Sequence, residues 1–173
     1  MSHIRPATTA DCIALGLITV TASHSAFIGA VPEECLDFSW TPDVSASNWR
    51  SGFSGYTDRG QLFDVLELDE RVIGFIWAKP WATTPGVDAS VQALYVLPTL
   101  HRQGHGRNLL RHAVSTLIDA GARSLEIACV KENPNCGFYE HLGGIEIGRR
   151  PVKVDSFDTE EILFGWKDSG ILI

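Results

Sequence analysis

No apolar run in this 173-residue chain approaches the roughly 20 residues that a membrane-spanning helix needs. The opening residues, Met1 through Pro6, lack the apolar core of a signal peptide, so a cytoplasmic protein without a membrane partner is expected. Basic residues are few: 14 Lys and Arg stand against 21 Asp and Glu, a formal charge of -7, and none form a run interleaved with aromatics. Such a field repels polyanions, which removes nucleic acid from the expected partners and favours, if anything, a cationic one. The four cysteines, Cys12, Cys35, Cys129 and Cys136, include no C-x-x-C pair. That spacing fits reduced thiols used in packing better than a disulfide frame or a zinc site. There is no internal repeat, low-complexity stretch or flexible linker, so residues 1–173 read as one domain.

What is present is enough apolar material for a core: 45% hydrophobic residues and five Trp. A short strand around His3 to Arg5 precedes Thr8-Thr9-Ala10-Asp11, a helix-start pattern, and a helix should run from about Ala10 into the low twenties. From Phe27 to Tyr56, Pro32, Pro42 and Gly52 break the pattern into short helical pieces, and a variable cover over a site is expected there. Leu62–Leu68 and Val72–Trp77 flank Asp69-Glu70-Arg71 as two antiparallel strands with a tight turn, and Val91–Val96 is a third. After Gly104, Leu109, Leu110, Ala113, Val114, Leu117 and Ile118 recur at helical spacing, with Gly121 placed to stop the helix. A strand from Ser124 to Val130, a short helix from Cys136 to Leu142 and two strands joined near Asp155-Ser156 complete an α/β pattern.

The segment His101-Arg102-Gln103-Gly104-His105-Gly106-Arg107 lies between a strand and that helix. Two glycines let consecutive N–H groups converge on an anion at the positive end of the helix, and Arg102 and Arg107 add charge suited to phosphate. Two glycines before a helix also serve simply as a tight turn. A nicotinamide-dinucleotide fold would prefer a third glycine at position 109, where Leu109 stands, and a P-loop would need Gly-Lys-Ser/Thr. His101 and His105 have i, i+4 spacing but fall outside a regular helix without a fixed acidic partner, so no metal site is assigned.

With its strand before and helix after, this segment resembles the Arg/Gln-x-x-Gly-x-Gly/Ala motif of the GNAT acetyltransferase superfamily, with His101 where the family has Arg or Gln. A second segment, Asn133-Pro134-Asn135-Cys136-Gly137-Phe138-Tyr139 through Gly143-Gly144, is similar to the family's Asn-Pro-x-x-x-Phe-Tyr-x-x-x-Gly-Gly form, and Ile147 to Trp166 looks like the last hairpin of many members. The resemblance covers the chain well from Leu62 onward. It implies a mixed, mostly antiparallel central sheet flanked by helices and splayed between the fourth and fifth strands, with acetyl-CoA as the acyl donor. It further implies that Tyr95 and Val96 offer backbone groups to the pantetheine arm and that His101, Arg102, Gln103, Gly104, His105, Gly106 and Arg107 surround the pyrophosphate. By the same resemblance Asn133 and Phe138 line the cleft, and Tyr139 stands near the thioester sulfur as candidate general acid.

The base is open. Ser90 stands where the family often has Glu, and Asp88, Glu67 and His101 are candidates that also read as ordinary turn or surface residues. Trp40, Trp49, Trp77 and Trp81 are candidates for the border of an acceptor pocket, with packing the simpler role for Trp77. The leading expectation is acetyl transfer to an amine of a small molecule or peptide, with a homodimer compatible with the sequence. The competing readings are a catalytically silent acyl-CoA-binding or regulatory module, which the missing strand Glu favours, and a nicotinamide oxidoreductase, which the second motif disfavours.

Overall fold

Alternation along Leu62–Leu68 and Arg71–Lys79 produces the hairpin from which the sheet grows. The two residues between these strands, Asp69 and Glu70, both have positive φ (48° and 64°), the geometry of the primed turn whose twist matches that of paired strands. The computed structural model describes residues 2–37, 39–168 and 172. Its strands are β1 (Ser2–Pro6), β2 (Leu62–Leu68), β3 (Arg71–Lys79), β4 (Ala89–Val96), β5 (Leu125–Val130), β6 (Ile145–Val154) and β7 (Phe157–Trp166). Its helices are α1 (Cys12–Phe27), α2 (Pro42–Thr57), α3 (His105–Asp119) and α4 (Cys136–His141). The strands form one seven-stranded sheet in the order β1-β2-β3-β4-β5-β7-β6, antiparallel except for the β4–β5 pair. This is the mixed, mostly antiparallel sheet expected from the sequence.

Each face of the sheet carries a core. Leu66, Ile76, Val91, Ile127 and Phe164 meet Leu109, Leu110 and Val114 of α3, while Phe63, Val65, Phe75 and Ala93 meet Leu15 and Ile18 of α1. Burying a Leu or Phe side chain contributes about 1.5–3 kcal/mol, so α3 is held chiefly by its apolar stripe. Asp64, which the alternation of β2 turns inward, is satisfied by His112 of α3, whose Nε2 lies 2.6 Å from Asp64 Oδ2.

Two elements differ from the sequence reading. Residues 42–57 form one continuous helix rather than short pieces, because Pro42 occupies its first turn and Thr41 caps it, accepting from Val44 N at 3.4 Å. Trp49, Phe53 and Tyr56 then fall on one face and pack on Phe63, which outweighs the poor helix propensity of Gly52 and Gly55. Gly16 of α1 permits the crossing, since a Cβ there would stand 2.4 Å from Pro42 O and 2.6 Å from Ala46 N. Secondly, Thr9–Phe27 is by length and composition apolar enough to cross a membrane, contrary to the expectation that no stretch approaches that size. Its inner face is buried on the sheet and on α2, with Cys12, Leu15, Ile18 and Thr19 all sealed from solvent.

The sheet opens at its centre for a local reason. Ala93 pairs with Trp77 and Val91 with Ala78, leaving Gln92 as an extra residue on β4. This bulge reverses the facing of the strand, so Val91 points to the α3 side and Ala93, two residues on, to the α1 side. The β4–β5 ladder runs only from Ala89↔Leu125 to Val91↔Ile127, where the bulge begins. Beyond it the facing edges of the two strands carry no ladder bonds.

Candidate functional site

The gap between β4 and β5 becomes a cleft of ≈ 810 Å³. Of the residues singled out from the sequence, Tyr95, Val96, His101, Arg102, Gly104, His105, Gly106, Arg107, Asn133, Phe138 and Tyr139 line it, whereas Gln103 is exposed outside it. At one end, Arg102 (φ 61°) and Gly104 (φ 84°) both take left-handed backbone conformations to turn the chain into α3. The first-turn N–H groups of α3 have no acceptor one turn back and lie at its positive end. Nothing but the Phe138 ring, at 3.6 Å, would touch a Cβ on Gly106. Neither Arg102 nor Arg107 has a carboxylate partner among the described residues.

The histidines separate into different tasks. Nε2–H of His101 donates to Val96 O at 3.0 Å, which fixes the tautomer, since a carbonyl can only accept. His112 is committed to Asp64. His105 has a buried Nε2 with no hydrogen-bond partner among the described residues.

In the middle of the cleft Tyr139 is 8% exposed, its ring packed on Phe138 and Phe164. Burial, with Cys129, Tyr95 and Cys136 close by, holds its phenol above the ordinary tyrosine value, so it stays protonated. Its hydroxyl makes no hydrogen bond among the described residues. Tyr95 reaches the same space from β4, also raised by burial, with Ser23 of α1 as its hydrogen-bonding partner. The glycines that follow Tyr139 have a packing reason: Gly143 has φ 81°, and a Cβ on Gly144 would stand 2.7 Å from the Trp166 ring.

Of the base candidates from the sequence, His101 lines the cleft with its Nε2 bound to Val96 O, whereas Asp88 and Glu67 are occupied elsewhere. Asp88 accepts from Arg123 N, Ser124 N and Ser124 Oγ, closing the turn into β5. Glu67 pairs with Arg5 and His3 at the β1–β2 edge. Ser90 is buried and donates to Trp81 O at 2.7 Å. Of the four indoles, only Trp40 lines the cleft. Trp49 and Trp77 belong to the aromatic cluster under α2, while Trp81 lies 38% exposed near Lys79.

At the far end of the cleft, where the sequence suggested a cover from residues 27–56, the part played by the β6–β7 turn was not foreseen. There the β6–β7 turn docks on the loop between α1 and α2: Asp155 Oδ2 accepts from Asp37 N at 2.8 Å, and Ser156 N and Oγ donate to Cys35 O at 3.2 and 3.0 Å. Asp37, Trp40 and Asp155 line this mouth. These segments lie 118 residues apart, so no local pattern announces them.

The Acetyltransferase (GNAT) family model matches residues 30–144, which takes in α2, the bulged strand, the glycine turn and the Phe-Tyr helix. The chain belongs to this family. Its members are acetyltransferases that use acetyl-CoA as acyl donor. The GNAT chain is 28% identical over 87 residues to the uncharacterized N-acetyltransferase YuaI of Bacillus subtilis, a match spanning half of this chain and half the length of that relative. In fold it is similar to yncA of Salmonella typhimurium, solved with its cofactor acetyl-CoA (TM-score 0.70, 20% identity, 96% of this chain and 93% of that one). It is also similar to the ribosomal-protein-alanine N-acetyltransferase of Brucella melitensis (TM-score 0.72, 20% identity, 95% and 98%).

Proposed function

We propose that this GNAT protein transfers the acetyl group of acetyl-CoA to an amine of a small molecule or peptide, in the cytoplasm, with Tyr139 as general acid. The observation that carries the reading is the single cleft in which the open edge of β4, the first turn of α3 and Tyr139 come together. The residues fit the donor. Unpaired first-turn N–H groups, Arg102, Arg107 and the unpartnered His105 Nε2 suit a pyrophosphate, and the unladdered edge of β4 suits an extended amide-bearing arm. Bound acetyl-CoA supplies an activated acyl group as its thioester.

The chain's own contribution is then positional and electrostatic. The β4 edge and the glycine turn fix the donor from two sides, which converts the encounter with the amine into an oriented one. Tyr139, kept protonated by burial, holds a proton on Oη for the departing thiolate. With Ser90 committed to Trp81 O, no carboxylate on β4 takes the amine's proton, and we assign that step to solvent reached through the open mouth at Asp37 and Asp155.

The same commitment of Ser90 is what favours a second reading, a silent acyl-CoA-binding module. Free-thiol release from acetyl-CoA over a panel of small amines and short peptides separates the two. We expect turnover with at least one acceptor class. Binding of acetyl-CoA without thiol release across the whole panel would establish the silent module instead. Acetyl-CoA at about 100 times its Kd should add about 2.7 kcal/mol to stability by mass action. A melting shift with NADH and none with acetyl-CoA would sink both.

A further inference from the structure

Two thiols that the proposed transfer does not use meet beside the cleft, which Cys129 lines. Cys129 of β5 and Cys136, the first residue of α4, hold their Sγ atoms 3.1 Å apart, and both are free thiols. That approach is inside the about 3.5–4.0 Å at which packed apolar atoms rest, and about 1 Å beyond the ~2.05 Å of a disulfide bond. Packing of small side chains, the role read for them from the sequence, does not require it. The turn between them brings them together: Asn133 N donates to Val130 O at 2.9 Å and Cys136 N to Asn133 O at 3.1 Å, folding the chain back so that α4 starts against the strand it has just left.

The pair is asymmetric. Cys129 is 6% exposed, whereas Cys136 is half-buried and reachable from solvent. The contact with Cys129 holds the Cys136 thiol below its ordinary value, against its burial and the carboxylates of Glu140 and Glu132; the Cys136 Sγ also lies 3.2 Å from Val130 O. The same contact, with burial, pushes the Cys129 thiol up. Cys12 is sealed in the α1 core, far along the chain from either.

We infer that Cys129 and Cys136 form a two-cysteine oxidation site that a hydroperoxide converts to an intramolecular disulfide. The half-buried Cys136 sulfur, as thiolate, attacks a peroxide oxygen. The O–O bond breaks, Cys136 becomes a sulfenic acid, and the leaving oxygen takes a proton from solvent to depart as water or alcohol. Cys129 sulfur then attacks the sulfenic sulfur. The S–S bond forms, the S–O bond breaks, and the Cys129 proton leaves with the hydroxyl as water. Two thiols give up two electrons and the peroxide accepts them, so no other oxidant is needed. The bond would fasten the start of α4, and with it Phe138 and Tyr139, to β5.

The test uses the intact chain and hydrogen peroxide. The expected result is loss of two of the four thiols, an intact mass lower by two hydrogens, and a tryptic species joining peptide 124–131 to peptide 132–149, all reversed by dithiothreitol. Cys129→Ser should halt at a dimedone-reactive sulfenic acid on Cys136, and Cys136→Ser should leave Cys129 unreacted. Retention of all four thiols, a bond to Cys12 or Cys35, or direct passage to sulfinic acid without the linked species would overturn the site. Faster closure by oxidised glutathione than by hydrogen peroxide would overturn the choice of oxidant. Because the mass readout requires no acetyl transfer, its failure and that of the transferase reading are told apart.

Discussion

The two ends of the cleft are built on opposite plans. The end at α3 is made of backbone: left-handed Arg102 and Gly104, the free N–H groups of one helical turn, and cationic side chains at adjacent positions. The end at the β6–β7 turn is made of side chains, Asp37, Trp40, Lys153 and Asp155 among them, brought from two distant segments. A phosphate can be gripped by any chain that makes the right turn, so that end needs glycines at fixed offsets. On the proposed reading the other end meets the acceptor, for which no such fixed turn is required. Tyr139, which lines the same cleft, is the residue to which we assign the proton for the departing thiolate.

The sharpest way to test that division is therefore Tyr139→Phe. The hydroxyl has no hydrogen-bond partner among the described residues, so its loss should leave the packing against Phe138 and Phe164 and the acetyl-CoA affinity unchanged, while turnover with a competent acceptor falls about a hundredfold. A variant with wild-type turnover across a pH scan would exclude Tyr139 as the acid and leave water as the proton source. Next in size is Gly106→Glu, which puts a carboxylate where only the Phe138 ring edge is near. We expect acetyl-CoA binding to weaken about tenfold or more while melting is preserved, because the change sits at a helix entry with open space around it. A folded variant with unaltered affinity would move the pyrophosphate elsewhere.

The difference between the ends also decides what could be read in advance. The α3 stripe of Leu109, Leu110, Ala113, Val114 and Leu117 is buried as its spacing demanded, and the Asp69-Glu70 turn joins the strands expected of it. Local periodicity is enough for such elements. The splay between β4 and β5 came from resemblance alone, since the bulge at Gln92 leaves no mark in composition. Helix α2 was misread because Pro42 and Gly52 count as breakers by propensity, whereas Trp49, Phe53 and Tyr56 at helical spacing carried the stronger tertiary signal. Asp155 and Asp37 had no signal at all. Each is an ordinary acidic loop residue until the β6–β7 hairpin folds back across the mouth. The thiol contact was hidden likewise: a spacing of seven is no C-x-x-C motif, the two residues lie on a strand and on a helix, and only the turn at Asn133 brings them together.

The smallest effect we expect lies at that mouth and asks whether its acids act by charge or by holding the loop. Asp155 has φ 52°, a left-handed conformation that Asn adopts about as readily as Asp and Ala does not. Asp155→Asn keeps a side-chain oxygen to accept from Asp37 N and removes only the charge, whereas Asp155→Ala removes the tether and strains the turn by about 1 kcal/mol. If the residue serves to hold the α1–α2 loop against the hairpin, the alanine variant should raise the acceptor KM about threefold, and the asparagine variant should match wild type. The acetyl-CoA KM should not move in either, since we place the donor's phosphates at the other end. A third possibility reads the chemistry of the acceptor directly: if Asp155→Asn raises KM for cationic acceptors while leaving neutral ones alone, the carboxylate itself recognises positive charge. In that case raising ionic strength should reproduce part of the loss in the wild-type protein, because an exposed charge pair is screened by salt whereas a hydrogen-bonded tether is not.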